Sequence, residues 1–384
     1  MSTIGLVMIV RDEAAIIERC LDSVRPLIDF ALIEDTGSKD GTQAIVRNWL
    51  EREDLPGEVY DNPWRDFASN RNHVLAKLRD DHSELDYALM MDADDQVVLN
   101  DGLDVAAFKR NLKLDAYLVP MRIHENHHAR MQICRNRHGF TYRGIVHEVL
   151  YPPSSASTIG MIEGFHIEAR SEGARSRDPD KHKKDAALLE RALVDEQDPE
   201  LRSRYVFYLA QGQIGAGNLQ RALANYIRRS QMGGWPEEIY VSLYRAARLQ
   251  EQLGRPVDTV LGTFKQAIKM VDNRIEAHHG ASRVYRLAGR YREGYEIARS
   301  GLGVPPPPEG LFLTIWIYDY GLLDEFAQNA LAAGQYDDCL QACGDLLGGG
   351  KLPPEERERV EQMRESAEQG IATPAVAQQS DPGA

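Results

Sequence analysis

The chain has 384 residues and a net charge of −14 at pH 7, with a pI near 5.3. That balance excludes a broad basic footprint for nucleic acid or an anionic membrane surface, leaving only a local basic groove to hold a polyanion. The length calls for two or three domains, each able to bury its own core. Four cysteines, Cys20, Cys134, Cys339 and Cys343, show no metal-ligand spacing and are too few to staple a chain this long, a usage that points to a reducing, cytoplasmic compartment. No apolar run reaches eighteen residues. The stretch Ile4 to Val10 has no basic region before it and meets Arg11-Asp-Glu13 at once, so it reads as a first strand rather than a signal peptide.

In chain order, that strand leads into Glu13 to Val24, where Ala14, Ile17, Leu21 and Val24 fall at helical spacing. Phe30-Ala-Leu-Ile33 is a second strand. It opens into the loop Glu34-Asp-Thr-Gly-Ser-Lys-Asp-Gly-Thr42, with Asp40 the expected N-cap of a helix carrying Ala44, Ile45, Trp49 and Leu50. A short strand near Glu58-Val-Tyr60 and a helix from Phe67 to Leu78 come next. The apolar run Tyr87-Ala-Leu-Met-Met91 then breaks into three carboxylates, Asp92, Asp94 and Asp95. Strands alternating with helices predict a parallel sheet with right-handed crossovers, whose ligands bind beyond the carboxyl ends of the strands. Carboxylates this crowded repel one another unless a hard cation holds them, and Mg2+ or Mn2+ takes carboxylate together with phosphate oxygen. A diphosphate-bearing substrate is therefore expected, the alternative being a polar turn that caps the next helix.

After the acids, candidate strands at 116–119, 131–134, 145–150 and 160–167 follow without long helices between them, which predicts a mixed, partly antiparallel extension of the sheet. Between Ile123 and Arg143 lie Arg130, Arg135, Arg137 and Arg143 with His124, His127, His128 and His138. They form either a clamp for a diphosphate or anionic acceptor, or a strand face turned half to water. The charged stretch 168–184 reads as a loop or linker, and Arg170, Arg175 and Arg177 in it suit a loop that closes on a bound donor. From Asp185 the pattern is helical and repeats, with helix ends at Gly217, Gly254, Gly289 and Gly334, spaced 37, 35 and 45 residues apart. Ala210, Ala246 and Ala281 recur upstream. The first two spacings approach the 34-residue tetratricopeptide period and the third is stretched by Pro305-Pro-Pro-Pro308; a plain helical bundle is the alternative. The expected domains are 1–170 (α/β), 171–184 (linker), 185–372 (all-α repeats) and 373–384 (a disordered tail).

Five blocks, Met8-Ile-Val-Arg-Asp-Glu13, Glu34 to Thr42, Asn70-Arg-Asn72, Asp92-Ala-Asp94 and Gly144-Ile-Val-His-Glu148, occur in an order that resembles family 2 glycosyltransferases of the GT-A fold over the first 170 or so positions. The nearest likeness is to lipopolysaccharide core glucosyltransferases and to glycocin peptide S-glycosyltransferases, which join this fold to a helical-repeat tail. The resemblance implies inverting, Mn2+- or Mg2+-dependent transfer of a hexose, glucose first, from a UDP-sugar to a hydroxyl or thiol of a saccharide or peptide acceptor. It implies that Val10 and Arg11 line the uridine, with Ser38 and Lys39 lesser candidates. Asp35 would accept the uracil N3–H, and Arg71 would stand on the uracil side unless it is a solvated helix arginine. Asp92 and Ala93 would contact the ribose side of the donor, and Asp92 would also reach the metal through water. Asp94 would be the direct metal ligand, and His166 a third ligand or a core histidine. For the base the choice is Glu148, oriented by His147, or else Asp95; the alternative for Glu148 is an ion pair with Arg143.

The repeats would serve acceptor docking or self-association into a homo-oligomer. Every expected donor contact precedes Lys184, so a chain ending there is expected to bind and slowly hydrolyse the donor. Glycosylation of a modified nucleic acid base and an inactive transferase-like scaffold are the other readings. A nucleotidyltransferase is disfavoured, because no Gly-rich, Lys/Arg-bearing triphosphate loop follows the first strand.

Overall fold

The computed structural model describes residues 1–123 and 126–372; His124 of the Arg/His cluster and the tail 373–384 lie outside them. The chain forms two compact units, the first comprising Met1–Arg228 with Pro308–Phe312, the second Arg229–Pro307 and Leu313 onward.

The first unit opens with β1 (Ile4–Val10), α1 (Ile17–Val24), β2 (Phe30–Asp35), α2 (Thr42–Arg52), β3 (Gly57–Asp61), α3 (Phe67–Asp81) and β4 (Tyr87–Met90). β1 lies between β2 and β4 and is parallel to both, with β3 parallel on the far side of β2. The continuous apolar runs of β1 and β4 follow from this, since a parallel strand covered on both faces has no polar side to show. Ile4, Leu6, Met8 and Leu89 go to one core with α1 and Trp49, while Val7, Ala88 and Met90 go to the other with Val74, Leu75 and Leu78 of α3. One expectation fails locally. α2 starts from Gly41 at φ +92° with no side-chain cap, because the Asp40 carboxylate instead receives the Thr42 amide and hydroxyl and the Ala14 amide, tying the loop after β2 to the loop after β1.

Beyond the acids come β5 (Asp95–Leu99), α4 (Val105–Asn111), β6 (Ala116–Ile123), β7 (Asn126–Arg135), β8 (Thr141–Arg143), β9 (Val149–Tyr151), β10 (Ile159–Met161) and β11 (Phe165–Ala169). The sheet continues from β4 through β7, β6 and β11 to β5. β7 is antiparallel to both β4 and β6, and β11 is parallel to β6 but antiparallel to β5. This is the expected mixed extension. The strand expected over 145–150 is interrupted: β8 and β9 form a separate ribbon, and the segment joining them has Gly144 at φ +108° and His147 at φ +53°. Left-handed backbone at two of its five positions cannot stay in a ladder.

Three helices, α5 (Lys181–Asp195), α6 (Pro199–Gly215) and α7 (Leu219–Ser230), follow the sheet. Composition shifts at 168–184, but the first compact unit runs on to Arg228. Its physical reason is a small core in which Val146 packs with Ala186, Leu189, Leu201, Tyr205 and Leu209, and against which Phe67 and Ile145 also rest.

The second unit is helical as expected, apart from a two-residue strand at Leu313–Thr314: α8 (Pro236–Gln252), α9 (Val257–Ile268), α10 (Glu276–Leu287), α11 (Tyr291–Arg299), α12 (Leu322–Ala332), α13 (Tyr336–Gly348) and α14 (Arg357–Ala372), each packing on the next in sequence. The four repeat glycines, Gly217, Gly254, Gly289 and Gly334, all have φ between +65° and +78°, the left-handed residue that ends a helix at low cost. Ala246 and Ala281 are fully buried, which lets neighbouring helices approach.

Candidate active site

The acids sit where β4 runs out of the sheet, and their neighbours divide them into different roles. Asp92 is held by the Arg71 guanidinium and faces Arg130 at 3.6 Å. Burial pushes its carboxyl up, but the two guanidinium groups outweigh burial and hold it at about 2. Asp95 is only 2% exposed and accepts the Asp92 amide at 3.1 Å; burial, then the Asp92 charge, pushes it up to about 7. It braces the turn from behind. Asp94 is raised by burial and then by Asp92, and its Oδ2 accepts the Gly173 amide at 3.2 Å.

A residue not singled out from the sequence belongs beside it. Glu13 accepts the next amide, that of Ala174, at 3.1 Å, and burial raises its carboxyl to about 7. A β-carbon on Gly173 would stand 3.2 Å from both the Asp94 and Glu13 oxygens, so the backbone approaches both acids closely. Glu13 closes the Met8 to Glu13 block, which was the available signal. The segment 170–177 thus covers the acids through backbone N–H groups. Its arginines have other partners: Arg175 pairs with Asp185 and lies over the Phe67 ring, Arg170 pairs with Glu168, and Arg177 donates to the Glu172 carbonyl while its charge acts on Glu13.

Arg71 links the two halves of the site. Its Nε donates to Glu148 Oε1 at 2.6 Å, its terminal nitrogen holds Asp92, and its guanidinium carbon lies 5.4 Å from the centre of the Tyr142 ring. With its side chain 7% exposed, it is not a solvated helix arginine. The Arg143–Glu148 pair weighed from the sequence is absent, since Arg143 pairs with Asp198 and stacks over Tyr151. Tyr142 is a second residue that pattern alone did not reveal: it is buried, its hydroxyl is unpartnered among the described residues, and burial pushes it up to about 12.

At the carboxyl ends of β1 and β2, Val10 and Asp35 are register partners. Asp35 Oδ1 accepts the amides of Gly37 and Ser38, both at 2.7 Å, while Oδ2 is buried with no partner among the described residues. The Val10 carbonyl receives the amide and hydroxyl of Thr36. Arg11 is exposed beside Asp12, and Ser38 and the Lys39 amide bind Asp12. Ala93 is buried at 6% exposure.

His166 does not join the acids. It pairs in register with Val98, three residues along β11 from Ala169, the partner of Asp95, which separates them by roughly 10 Å at ~3.3 Å per residue. Its buried Nε2 has no partner among the described residues, and burial lowers its pKa. Among the described residues no group of three His, Cys, Asp or Glu is placed to hold a metal ion. Of the Arg/His cluster, Arg130 faces the acids, 3.6 Å from Asp92. Arg135 lies over Tyr87, His138 faces Asp115, and His128, pushed down to about 4 by burial and Arg130, lies by Phe312.

Residues 6–143 match the family model described as glycosyl transferase family 2. A TPR repeat-containing protein of Synechococcus elongatus is 23% identical over 320 residues, covering 80% of this chain and 76% of the relative. Among solved structures, Staphylococcus aureus TarS 1–349 aligns over 76% of this chain and 92% of its own at 14% identity and a TM-score of 0.33. A tetratricopeptide repeat protein from Parabacteroides merdae aligns over 51% of this chain and 72% of its own at 17% identity and a TM-score of 0.36. Scores this low carry over no feature of either structure. The chain carries a family 2 glycosyltransferase domain at its N-terminal end, followed by helices from Lys181 on, and it is a glycosyltransferase. Its four cysteines are free and buried, and no helix among the described residues is long and apolar enough to cross a membrane.

Proposed function

We propose that this glycosyltransferase moves a hexosyl group, glucose being the first candidate, from a UDP-sugar to a hydroxyl or thiol of a saccharide or peptide acceptor, with inversion at the anomeric carbon. The observation that carries the reading is the Arg71 bridge, which holds Asp92 and Glu148 on one guanidinium and so brings a donor-side acid and a candidate base to one place. Inverting displacement needs both: charge neutralised on the leaving diphosphate, and a base on the opposite face of the sugar. Glu148 uses Oε1 on Arg71, and Oε2 is the atom assigned to the acceptor proton. The unpartnered Asp35 Oδ2 suits the N–H of a pyrimidine, a buried acceptor being costly to leave unmatched. Arg130 stands beside Asp92 as a further positive charge for the diphosphate.

The donor set suits a cation shared with substrate rather than a closed protein cage. Mg2+ and Mn2+ are commonly held by one or two carboxylates plus phosphate oxygens, and Asp94, whose carboxyl burial and Asp92 both raise, gains most from a cation. Asp94 would hold it, with Asp92 behind, and His166 drops out of the set. The chemistry such an ion supplies is charge neutralisation on the departing UDP. The stacked helix pairs of the second unit are a surface type that binds extended segments, and acceptor docking is assigned there.

Calorimetry of UDP binding tests the donor side: affinity should require Mn2+ or Mg2+ and vanish in Asp94→Ala with the fold intact. Equal affinity in the presence of chelator would remove the metal. For the base, Glu148→Gln should keep UDP affinity and lose turnover by about 10²–10⁴-fold.

A further inference from the structure

The five-residue segment that carries Glu148 is gripped along its length by a helix outside the sheet. Arg143 at its start pairs with Asp198, the residue that caps α6. The Ile145 amide donates to the Tyr205 hydroxyl at 3.2 Å, and Val146 is buried among Leu201, Tyr205 and Leu209. The Arg204 Nε donates to the His147 carbonyl at 2.8 Å. The His147 ring stacks on Tyr208 with centroids 4.0 Å apart and planes 8° from parallel, and the Arg204 guanidinium lies over the other partner's ring at 4.9 Å. His147 has φ +53°, a conformation that a β-carbon disfavours and that persists only where the surroundings impose it. The imposing contacts are the Arg204 bond to its carbonyl and the Tyr208 stack on its side chain. Glu148 comes next in the chain and meets Arg71.

We infer that α6 is the positioning element of the transfer site: Arg204 and Tyr208 lock His147 in its left-handed conformation, and that turn aims the Glu148 carboxylate at the acceptor. Neither residue touches substrate; both act through the backbone of His147. The inference rests on the reading of Glu148 as base. It assigns the first helices after the sheet to the catalytic machinery rather than to the docking surface.

The test uses the full chain with Tyr208→Ala, Arg204→Met and Tyr208→Phe. Turnover is read as UDP release with Mn2+ from whichever of UDP-glucose, UDP-galactose and UDP-N-acetylglucosamine the unsubstituted protein consumes. UDP affinity is read by calorimetry and backbone protection by hydrogen exchange of peptides covering 143–148. A base displaced by about 1 Å costs on the order of 10²-fold, so Tyr208→Ala and Arg204→Met should each lose about that in kcat at unchanged UDP affinity. Exchange should rise at 144–148 and not in β1 or β4. Tyr208→Phe, which keeps the stacked ring, should restore most of the turnover. In a Glu148→Gln background Tyr208→Ala should have no further effect.

Unsubstituted kcat and unchanged exchange in both variants overturn the proposal. So does a parallel loss of UDP affinity with exchange rising across the sheet, which marks a general structural role. Glu148→Gln alone separates the two readings: full turnover there overturns the base assignment, whereas an inactive Glu148→Gln beside fully active Tyr208→Ala and Arg204→Met overturns the role of α6 only.

Discussion

Arg71→Met removes the one charge that touches both acids while keeping most of the apolar stem, so it weighs the Arg71 bridge directly. The side chains of Arg71 and Glu148 are 7% and 9% exposed, and taking away one partner of a buried ion pair costs about 3–5 kcal/mol through the charge left behind. The lower end applies, because Asp92 is 32% exposed and still faces Arg130 at 3.6 Å. A loss of about 3 kcal/mol corresponds to roughly 6–12 °C in Tm for a unit of this size.

The pH dependence has a definite sign. Asp92 sits at about 2 against an ordinary 3.8, a drop worth about 2 kcal/mol at ~1.4 kcal/mol per unit. A depressed carboxyl contributes this stability above pH 4 and loses it as pH falls through 2. Arg71→Met gives up part of that contribution, so the gap in Tm between the two proteins should be widest at pH 7 and narrow as pH falls below 4. Thermal melts followed by near-UV circular dichroism at pH 7, 5 and 3 measure it. A gap that stays constant from pH 7 to 3, or an unchanged Tm at pH 7, refutes the electrostatic account of the bridge.

Three further outcomes follow from particular contacts. A chain ended at Lys184 should fail to fold its first unit and bind no UDP, because Val146, Ile145 and Phe67 lose their partners on α5 and α6 at about 1.5–3 kcal/mol for each fully exposed side chain; circular dichroism and calorimetry against a chain ended at Ser230 decide it. Asp35→Asn should lower UDP affinity by about 10- to 100-fold, the worth of a charged hydrogen bond, while Tm moves little because Oδ2 has no partner to lose among the described residues. Tyr142→Phe should leave Tm within about 1–2 °C, since its hydroxyl makes no hydrogen bond among the described residues; a large drop would mean that the hydroxyl is held by the protein after all.

What was legible in the sequence was whatever local pattern controls. The runs at Ile4–Val10 and Tyr87–Met90 are strands buried on both faces, as runs without a polar residue require, and the four glycines end helices because each must take left-handed backbone. Asp92, Asp94, Arg71 and Glu148 were named from short blocks and are brought to one place, or to neighbouring places, by the crossing of α3, β4 and the segment before β9.

What was not legible depends on contacts between distant residues. Whether Glu148 pairs with Arg143 or Arg71 turns on Asp198 claiming Arg143 from 55 positions away, which no window around Glu148 contains. His166 has the right type and a plausible place in the order, but the antiparallel register of β11 on β5 carries it away from the acids. The boundary is the most instructive case. Charge and low hydrophobicity mark 168–184 as a place where the sheet ends, and composition alone equates that with the end of a domain. The segment 144–148 cannot bury Val146 or hold His147 by itself, so the unit that folds must include the helix that does both. Where a loop beside the acids is shaped by an element later in the chain, the edge of the sheet and the edge of the folding unit part company. Here they do so over α5 and α6.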